Sequence, residues 1–138
     1  MAVESRTETH VEIRADSDIV NARQKGRELA KLAGFSGSDL TVIATAISEV
    51  ARNIVEYAGR GAIRLSLVSQ GGRQGLLVVA RDEGPGIADV NVVMQDGYTT
   101  GKGLGLGLPG ARRLMDEFEI VSKVGQGTTV TMKKWNRG

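Results

Sequence analysis

The sequence predicts one two-layer α/β (α+β) sandwich, a mixed and mainly antiparallel sheet with helices against one face. Three observations carry this. Two segments repeat apolar residues at three- and four-residue steps, several shorter ones alternate or run apolar at strand length, and no repeat or Pro/Ser-rich linker divides the 138 residues. A chain of this length buries roughly two-thirds of the surface its unfolded state exposes, enough for one core without disulfides or a structural metal.

Residues 1–8 are polar and mixed in charge and are expected to form a frayed tail. Thr9 to Arg14 then alternates, with Val11 and Ile13 on one side, and predicts a first strand. Asp16 or Ser17 offers an N-cap for a helix in which Ile19, Ala22, Gly26, Leu29, Ala30 and Ala33 share a face and Gly34 signals the stop. Ser38 opens a longer helix, where Leu40, Ile43, Ala44, Ile47, Val50, Ala51, Ile54 and Ala58 recur at helical spacing over about five turns. Glu49 and Asn53 fall on its opposite side, one turn apart. Val42, Thr45 and Ala46 border them, where a fully solvated face would carry Lys, Glu and Gln. Arg52 is expected to project elsewhere, into a surface ion pair or a partner contact.

Gly59 and Gly61 end that helix. Ile63, Leu65 and Leu67 alternate with Arg64 and Ser66 in a half-buried strand, Gly71 to Gly75 reads as a loop, and Leu76 to Ala80 reads as a central strand joined to its predecessor in a hairpin. Val90 to Met94 suggests a short helix, and Asp96 to Leu108, dominated by glycine and hydroxyl residues, a mobile loop. Pro109 suits the first turn of a further helix with Ala111, Leu114, Met115 and Phe118 on its apolar side. Glu119 to Val124 and Thr128 to Lys134 are the last strands, around a tight Gly125-Gln126-Gly127 turn.

Composition removes several function classes. The absence of cysteine excludes a disulfide scaffold, a thiolate nucleophile and Cys-ligated zinc, and fits a reducing cytosol. His10 is the one histidine, too few for a His-rich metal site and poorly suited to a Ser-His-Asp triad. The net charge is +2 with the basic residues scattered, and the aromatic residues are dispersed, so nothing suggests nucleic-acid binding. No segment has the apolar core of a signal peptide, and none approaches the ~20 apolar residues of a membrane span. The expectation is a soluble cytoplasmic protein with no membrane association.

Three constellations carry chemistry. Gly101, Gly103, Gly105, Gly107 and Gly110 crowd one stretch, a density costly in backbone entropy unless positive φ or close backbone approach is needed. Their N–H groups can converge on a phosphate at the start of the following helix, with Lys102 adding charge; a ligand-free flexible loop is the plain alternative. The Gly-Lys-Ser/Thr signature of a P-loop is absent. Asp82, in Asp82-Glu83-Gly84-Pro85-Gly86, leaves a buried strand where it can accept a hydrogen bond from an exocyclic amine, or serve only as a turn carboxylate, and Gly86 would admit a planar ring. Glu49 and Asn53 pair a candidate general base with a neutral oxygen for Mg²⁺, or are an exposed polar face.

In this order the motifs resemble the Bergerat-fold (GHKL) ATP-binding proteins shared by gyrase, heat-shock chaperones, histidine kinases and anti-sigma-factor serine kinases. Glu49-Val50-Ala51-Arg52-Asn53 is similar to the N box, Asp82-Glu83-Gly84-Pro85-Gly86-Ile87 to the first glycine box and Gly101-Lys102-Gly103-Leu104-Gly105-Leu106-Gly107 to the second. Gly125-Gln126-Gly127-Thr128 is similar to the last box. Ala46-Ile47-Ser48-Glu49 and Arg113-Leu114-Met115-Asp116-Glu117-Phe118 most resemble the stressosome switch kinases.

The resemblance implies one ATP-binding kinase domain over residues 1–138. It implies that Asp82 bonds the adenine amino group, that Thr128 supports the adenine through water, that Asn53 coordinates Mg²⁺ and that Glu49 is the base. It places Gly84 and Gly86 beside the nucleoside and Lys102, Gly103, Leu104, Gly105 and Gly107 around the phosphates. It further implies Ser/Thr phosphorylation of STAS-domain stressosome proteins, followed by activation of a phosphatase or cyclase. The lid between Gly86 and Gly101 is short and has no basic cluster beyond Lys102, which predicts modest nucleotide affinity. A histidine kinase would bring a phospho-acceptor histidine on a dimerising helix, whereas His10 lies in a predicted strand; gyrase- and chaperone-type ATPases need transducing domains for which this chain has no room. The rival from another class is a nucleotide-gated binding module without essential catalysis.

Overall fold

The computed structural model describes residues 4–95 and 107–137. Five strands, β1 (Glu4–Ile13), β2 (Gly61–Gln70), β3 (Arg73–Asp82), β4 (Glu117–Lys123) and β5 (Gly127–Trp135), form one sheet in the order β1-β2-β3-β5-β4. Each of these pairings is antiparallel, so the sheet is antiparallel throughout rather than mixed. Helices α1 (Asp16–Leu32), α2 (Ser38–Tyr57), α3 (Val90–Val93) and α4 (Gly107–Leu114) complete the second layer.

One apolar core joins the layers. Val11 and Ile13 of β1, Ile63, Leu65 and Leu67 of β2, Leu76, Val78 and Ala80 of β3, and Val130 and Met132 of β5 pack with Ile43, Ile47, Val50 and Ile54 of α2. Strand alternation sends these residues to one face, and the three- and four-residue spacing of α2 supplies the facing stripe. The other face is less open than alternation alone suggests: Ser66 and Val68 are buried there too.

Several boundaries differ from the sequence expectation, each for a local reason. β1 begins at Glu4, within the expected frayed tail, because Glu4 and Ser5 find backbone partners in Ser69 and Val68 of β2. Gly71 and Gly72 alone link β2 to β3, both at positive φ (59° and 83°), as a two-residue hairpin turn requires, so the strands run longer than the expected five-residue loop allowed. The start of α1 is capped by Asp18, whose Oδ2 accepts the N–H groups of Arg14 and Ala15, and not by Asp16 or Ser17. Phe118 belongs to β4 rather than to the helix before it. The Asp116 N–H donates to the Lys133 carbonyl and the Trp135 N–H to Asp116 Oδ2, which draws the chain into the ladder where Phe118 faces Met132.

Candidate nucleotide site

The site is assembled from the polar side of α2, the open end of β3, the β4–β5 turn and the first turn of α4. On α2, Glu49 and Asn53 are both buried, 7% and 6% exposed, on the side away from Ile43, Ile47 and Ile54. Burial of two polar side chains on a helix is sustained only where partners or a ligand satisfy them. For Glu49 the partners are visible. Its Oε1 accepts the N–H of Gly107, the first residue of α4, at 2.8 Å, and its Oε2 accepts Arg52 Nη1 at 2.5 Å. Arg52, expected to point elsewhere, therefore turns back along the helix to the carboxylate three residues before it.

The Glu49 carboxylate at the α4 N-terminus is also an observation about what that position accepts. A free N–H at a helix start, reinforced by the helix dipole, favours an anionic oxygen, and here a side chain provides one. The geometry thus suits a phosphate oxygen in the same place. Asn53 offers a neutral amide oxygen one turn away. Among the described residues no group of three or more His, Asp or Glu side chains is arranged to hold a metal, so a hard cation at Asn53 would draw its other oxygens from water and from phosphate.

Asp82 is the last residue of β3, with Gly61 of β2 and Thr128 of β5 as its lateral neighbours. It is 7% exposed, and its Oδ1 accepts the Gly84 N–H at 2.9 Å. This is the turn bond that a carboxylate before Gly and Pro commonly makes, and it engages Oδ1 alone. A cleft of about 520 Å³ opens beside it, lined by Ala58, Gly61 and Gly84 and by Arg14, Arg60 and Arg81.

Gly84 lies against α2, where a Cβ would come within 2.5 Å of the Ala58 Cβ. Gly86 has φ 78°, and a Cβ there would stand 2.2 Å from the Lys123 carbonyl oxygen, so packing against the β4–β5 turn demands a glycine even before any ring is considered. The Gly125 N–H donates to the Pro85 carbonyl at 2.7 Å and ties the same two loops together.

Thr128, 5% exposed, is held by a residue that sequence reasoning missed. Ser122 Oγ accepts the Ile87 N–H at 2.7 Å, donates to the Gly127 carbonyl at 3.1 Å and stands 2.7 Å from Thr128 Oγ1. Because the serine has one proton and the carbonyl can only accept it, Thr128 is the donor in the hydroxyl pair. Its remaining lone pairs then make it an acceptor towards the site. The signal for Ser122 was present in the strand pattern: it takes an inward position after Phe118 and Ile120, where a polar residue is out of place. For Arg52 the signal was its three-residue separation from Glu49.

Glu49 and Asn53 lie on the long helix and Thr128 on the last strand as expected, and Gly84 and Gly86 follow β3, whereas Gly107, expected in a loop, is the first residue of α4, and Asp82, expected just past its strand, ends β3. Lys102, Gly103, Leu104 and Gly105 lie outside the described residues.

The model of the histidine kinase-like ATPase domain matches residues 11–134, nearly the whole described fold. The chain belongs to this family. Within it, the chain is 52% identical over 127 residues to the serine/threonine-protein kinase RsbT of Bacillus subtilis (strain 168), covering 92% of this chain and 96% of that one. It is 36% identical over 103 residues to the anti-sigma F factor of Geobacillus thermodenitrificans (strain NG80-2), covering 70% and 69%. A mycobacterial sensor histidine kinase, MprB, has a similar fold at 16% identity and a TM-score of 0.54, covering 95% of this chain and 99% of that one. The likeness to RsbT over almost the full length of both chains supports an ATP-dependent kinase. Among the described residues no helix is long and apolar enough to cross a membrane.

Proposed function

We propose that this chain transfers the γ-phosphate of ATP, with Mg²⁺, to a serine or threonine hydroxyl of a STAS-domain stressosome protein, and thereby acts as a partner switch that goes on to engage a downstream phosphatase or cyclase. The observation that carries the reading is the placement of Glu49, a buried carboxylate at the N-terminal amide of α4 with Asn53 one turn away. The 52% identity to a serine/threonine-protein kinase supports it.

When bound, ATP with Mg²⁺ supplies the charge-neutralised phosphoryl donor, whose phosphorus bonds the acceptor oxygen as its bridging bond to ADP breaks. Asp82 presents Oδ2 to the adenine amino group, and Thr128, its proton committed to Ser122, presents an acceptor to the water beside the ring. Asn53 would contribute its amide oxygen to the cation. The Gly107 N–H donates to phosphate oxygen in place of Glu49, with Gly103, Gly105 and Lys102 contributing from the second glycine box. Glu49 Oε1, released from Gly107, takes the proton of the acceptor hydroxyl. Phosphoryl transfer asks little more of a protein than positioning, charge neutralisation and this carboxylate.

The deciding experiment incubates the purified chain with labelled ATP, Mg²⁺ and candidate STAS-domain proteins and locates the label by mass spectrometry. Label on a Ser or Thr is the expected result. Binding of Mg·ATP without transfer to any of them would turn the reading to a nucleotide-gated binding module.

A further inference from the structure

Glu49 has two carboxylate oxygens, and the structure divides them between two different kinds of donor. Oε2 is bound by Arg52 Nη1 at 2.5 Å, a contact between side chains three residues apart on one helix. Oε1 is bound by the Gly107 N–H at 2.8 Å, a contact that crosses from α2 to the first residue of α4. The first contact lies within one helix and does not depend on where α4 begins. The second depends on where α4 begins, and any anion that takes the Gly107 N–H removes it.

We propose that Arg52 is a positioning residue: it holds Glu49 through Oε2 throughout the cycle, so that Oε1 alone changes partner, from the Gly107 N–H to the proton of the acceptor hydroxyl. The inference rests on the kinase reading above. Its physical basis is orientation. A carboxylate whose two oxygens each accept a strong donor keeps further lone pairs but is less basic and more crowded towards a hydroxyl proton, and one with neither oxygen tied turns about its last torsion and loses alignment. A single anchor leaves one oxygen available and aimed. Arg52 suits the task because its planar guanidinium fixes direction as well as charge, and its side chain is only 27% exposed, which limits competition from water. Asn53, the next residue, is the one that would offer its amide oxygen to the cation, so the base, Arg52 and that oxygen share one helical turn.

The test uses the full chain with Arg52→Gln and Arg52→Lys. Three quantities are measured: the maximal rate of transfer to the STAS-domain acceptor, the KM for ATP, and the amide signal of Gly107 in magnetic resonance spectra of the nucleotide-free protein. Arg52→Gln is expected to lower the maximal rate about ten-fold while the KM changes less than about two-fold, the pattern of a group that orients without contributing uniform binding. Arg52→Lys is expected to restore part of the lost rate, and the Gly107 signal to move in Arg52→Gln because its acceptor is no longer held. A maximal rate in Arg52→Gln equal to or above that of the unaltered chain overturns the proposal, the second case marking Arg52 as a brake. So does equal slowing in both variants with a matching fall in melting temperature, which marks a structural role only. If the unaltered chain transfers phosphate to no acceptor, the kinase reading itself fails. The Gly107 signal then decides the clamp, an unmoved signal in Arg52→Gln overturning it and a shifted one sustaining it.

Discussion

Ser122 and Thr128 face each other across the β4–β5 ladder with their hydroxyl oxygens 2.7 Å apart, and through that pair the first glycine box is fastened to the last. Ser122 also receives the Ile87 N–H, so one side chain orders the loop after Asp82 and the proton of Thr128 together. Ser122→Ala leaves the Ile87 N–H without its acceptor and frees the Thr128 proton. We expect a stability loss of about 1–2 kcal/mol in urea unfolding, and ATP affinity several-fold weaker by calorimetry. Unchanged affinity would show that the hydroxyl pair serves the fold alone.

Asp82→Asn keeps an oxygen that can accept the Gly84 N–H but replaces the other carboxylate oxygen with a donor that opposes an adenine amine. Stability is expected to change little. Nucleotide affinity is expected to fall at least about ten-fold, since a buried donor facing a donor leaves both unsatisfied. Normal binding by calorimetry would remove Asp82 from the adenine site.

Glu49→Gln preserves shape and an acceptor for Gly107 but not basicity. ATP binding should persist while transfer falls by about 10²- to 10⁴-fold, the range attributed to a positioned general base. Transfer at the normal rate would exclude Glu49 as that base.

Glu56, one turn beyond Asn53, has both carboxylate oxygens shielded from solvent and without a partner among the described residues. Leaving a buried polar group unpaired costs free energy that an apolar replacement recovers. Glu56→Leu is expected to stabilise the fold by about 1–2 kcal/mol, read from the midpoint of urea unfolding. A destabilised variant would show that the carboxylate has an interaction worth keeping.

At the opposite end of the sheet, the Trp135 indole N–H donates to Glu117 Oε2 at 2.7 Å. That bond, working against desolvation and helped by Lys133 and Arg73, holds the Glu117 carboxyl below the usual range. Its folded-state value is the lower one, so the contribution is present above the unfolded value of about 4.3 and is lost as pH falls through the folded value. Acidification from about pH 5 should therefore shift the emission of Trp135, the one tryptophan, and Glu117→Gln should flatten the acid limb of stability against pH. The size of the effect is small because the Glu117 side chain is half exposed. An acid limb identical in the variant would assign it to other carboxylates.

Local pattern made much of this molecule legible. The long stripe from Leu40 to Ala58 predicted α2 almost to the residue, since twenty residues of helical spacing leave no other face to bury. Val11 and Ile13, and Leu76 to Ala80, marked core strands for the same reason. The ends were harder, because they depend on partners distant in sequence: Glu4 extends β1 only because Ser69 lies beside it, and Phe118 joins β4 only because Lys133 and Trp135 engage Asp116. In the site, Glu49, Asn53, Asp82 and Thr128 stood out as residue types in motif order, whereas Ser122 and Arg52 left only an inward polar position and a three-residue spacing, whose meaning their contacts supplied.

By itself, then, the sequence determined periodicity, turn chemistry and the order of its glycine and carboxylate motifs, all properties of residues a few positions apart. Tertiary structure alone decided that Glu49 reaches Gly107, fifty-eight residues on, and that Ser122 joins Ile87 to Thr128. Those contacts form where packed elements bring donors to buried acceptors, and a donor chooses its partner by distance and angle, which linear spacing does not specify.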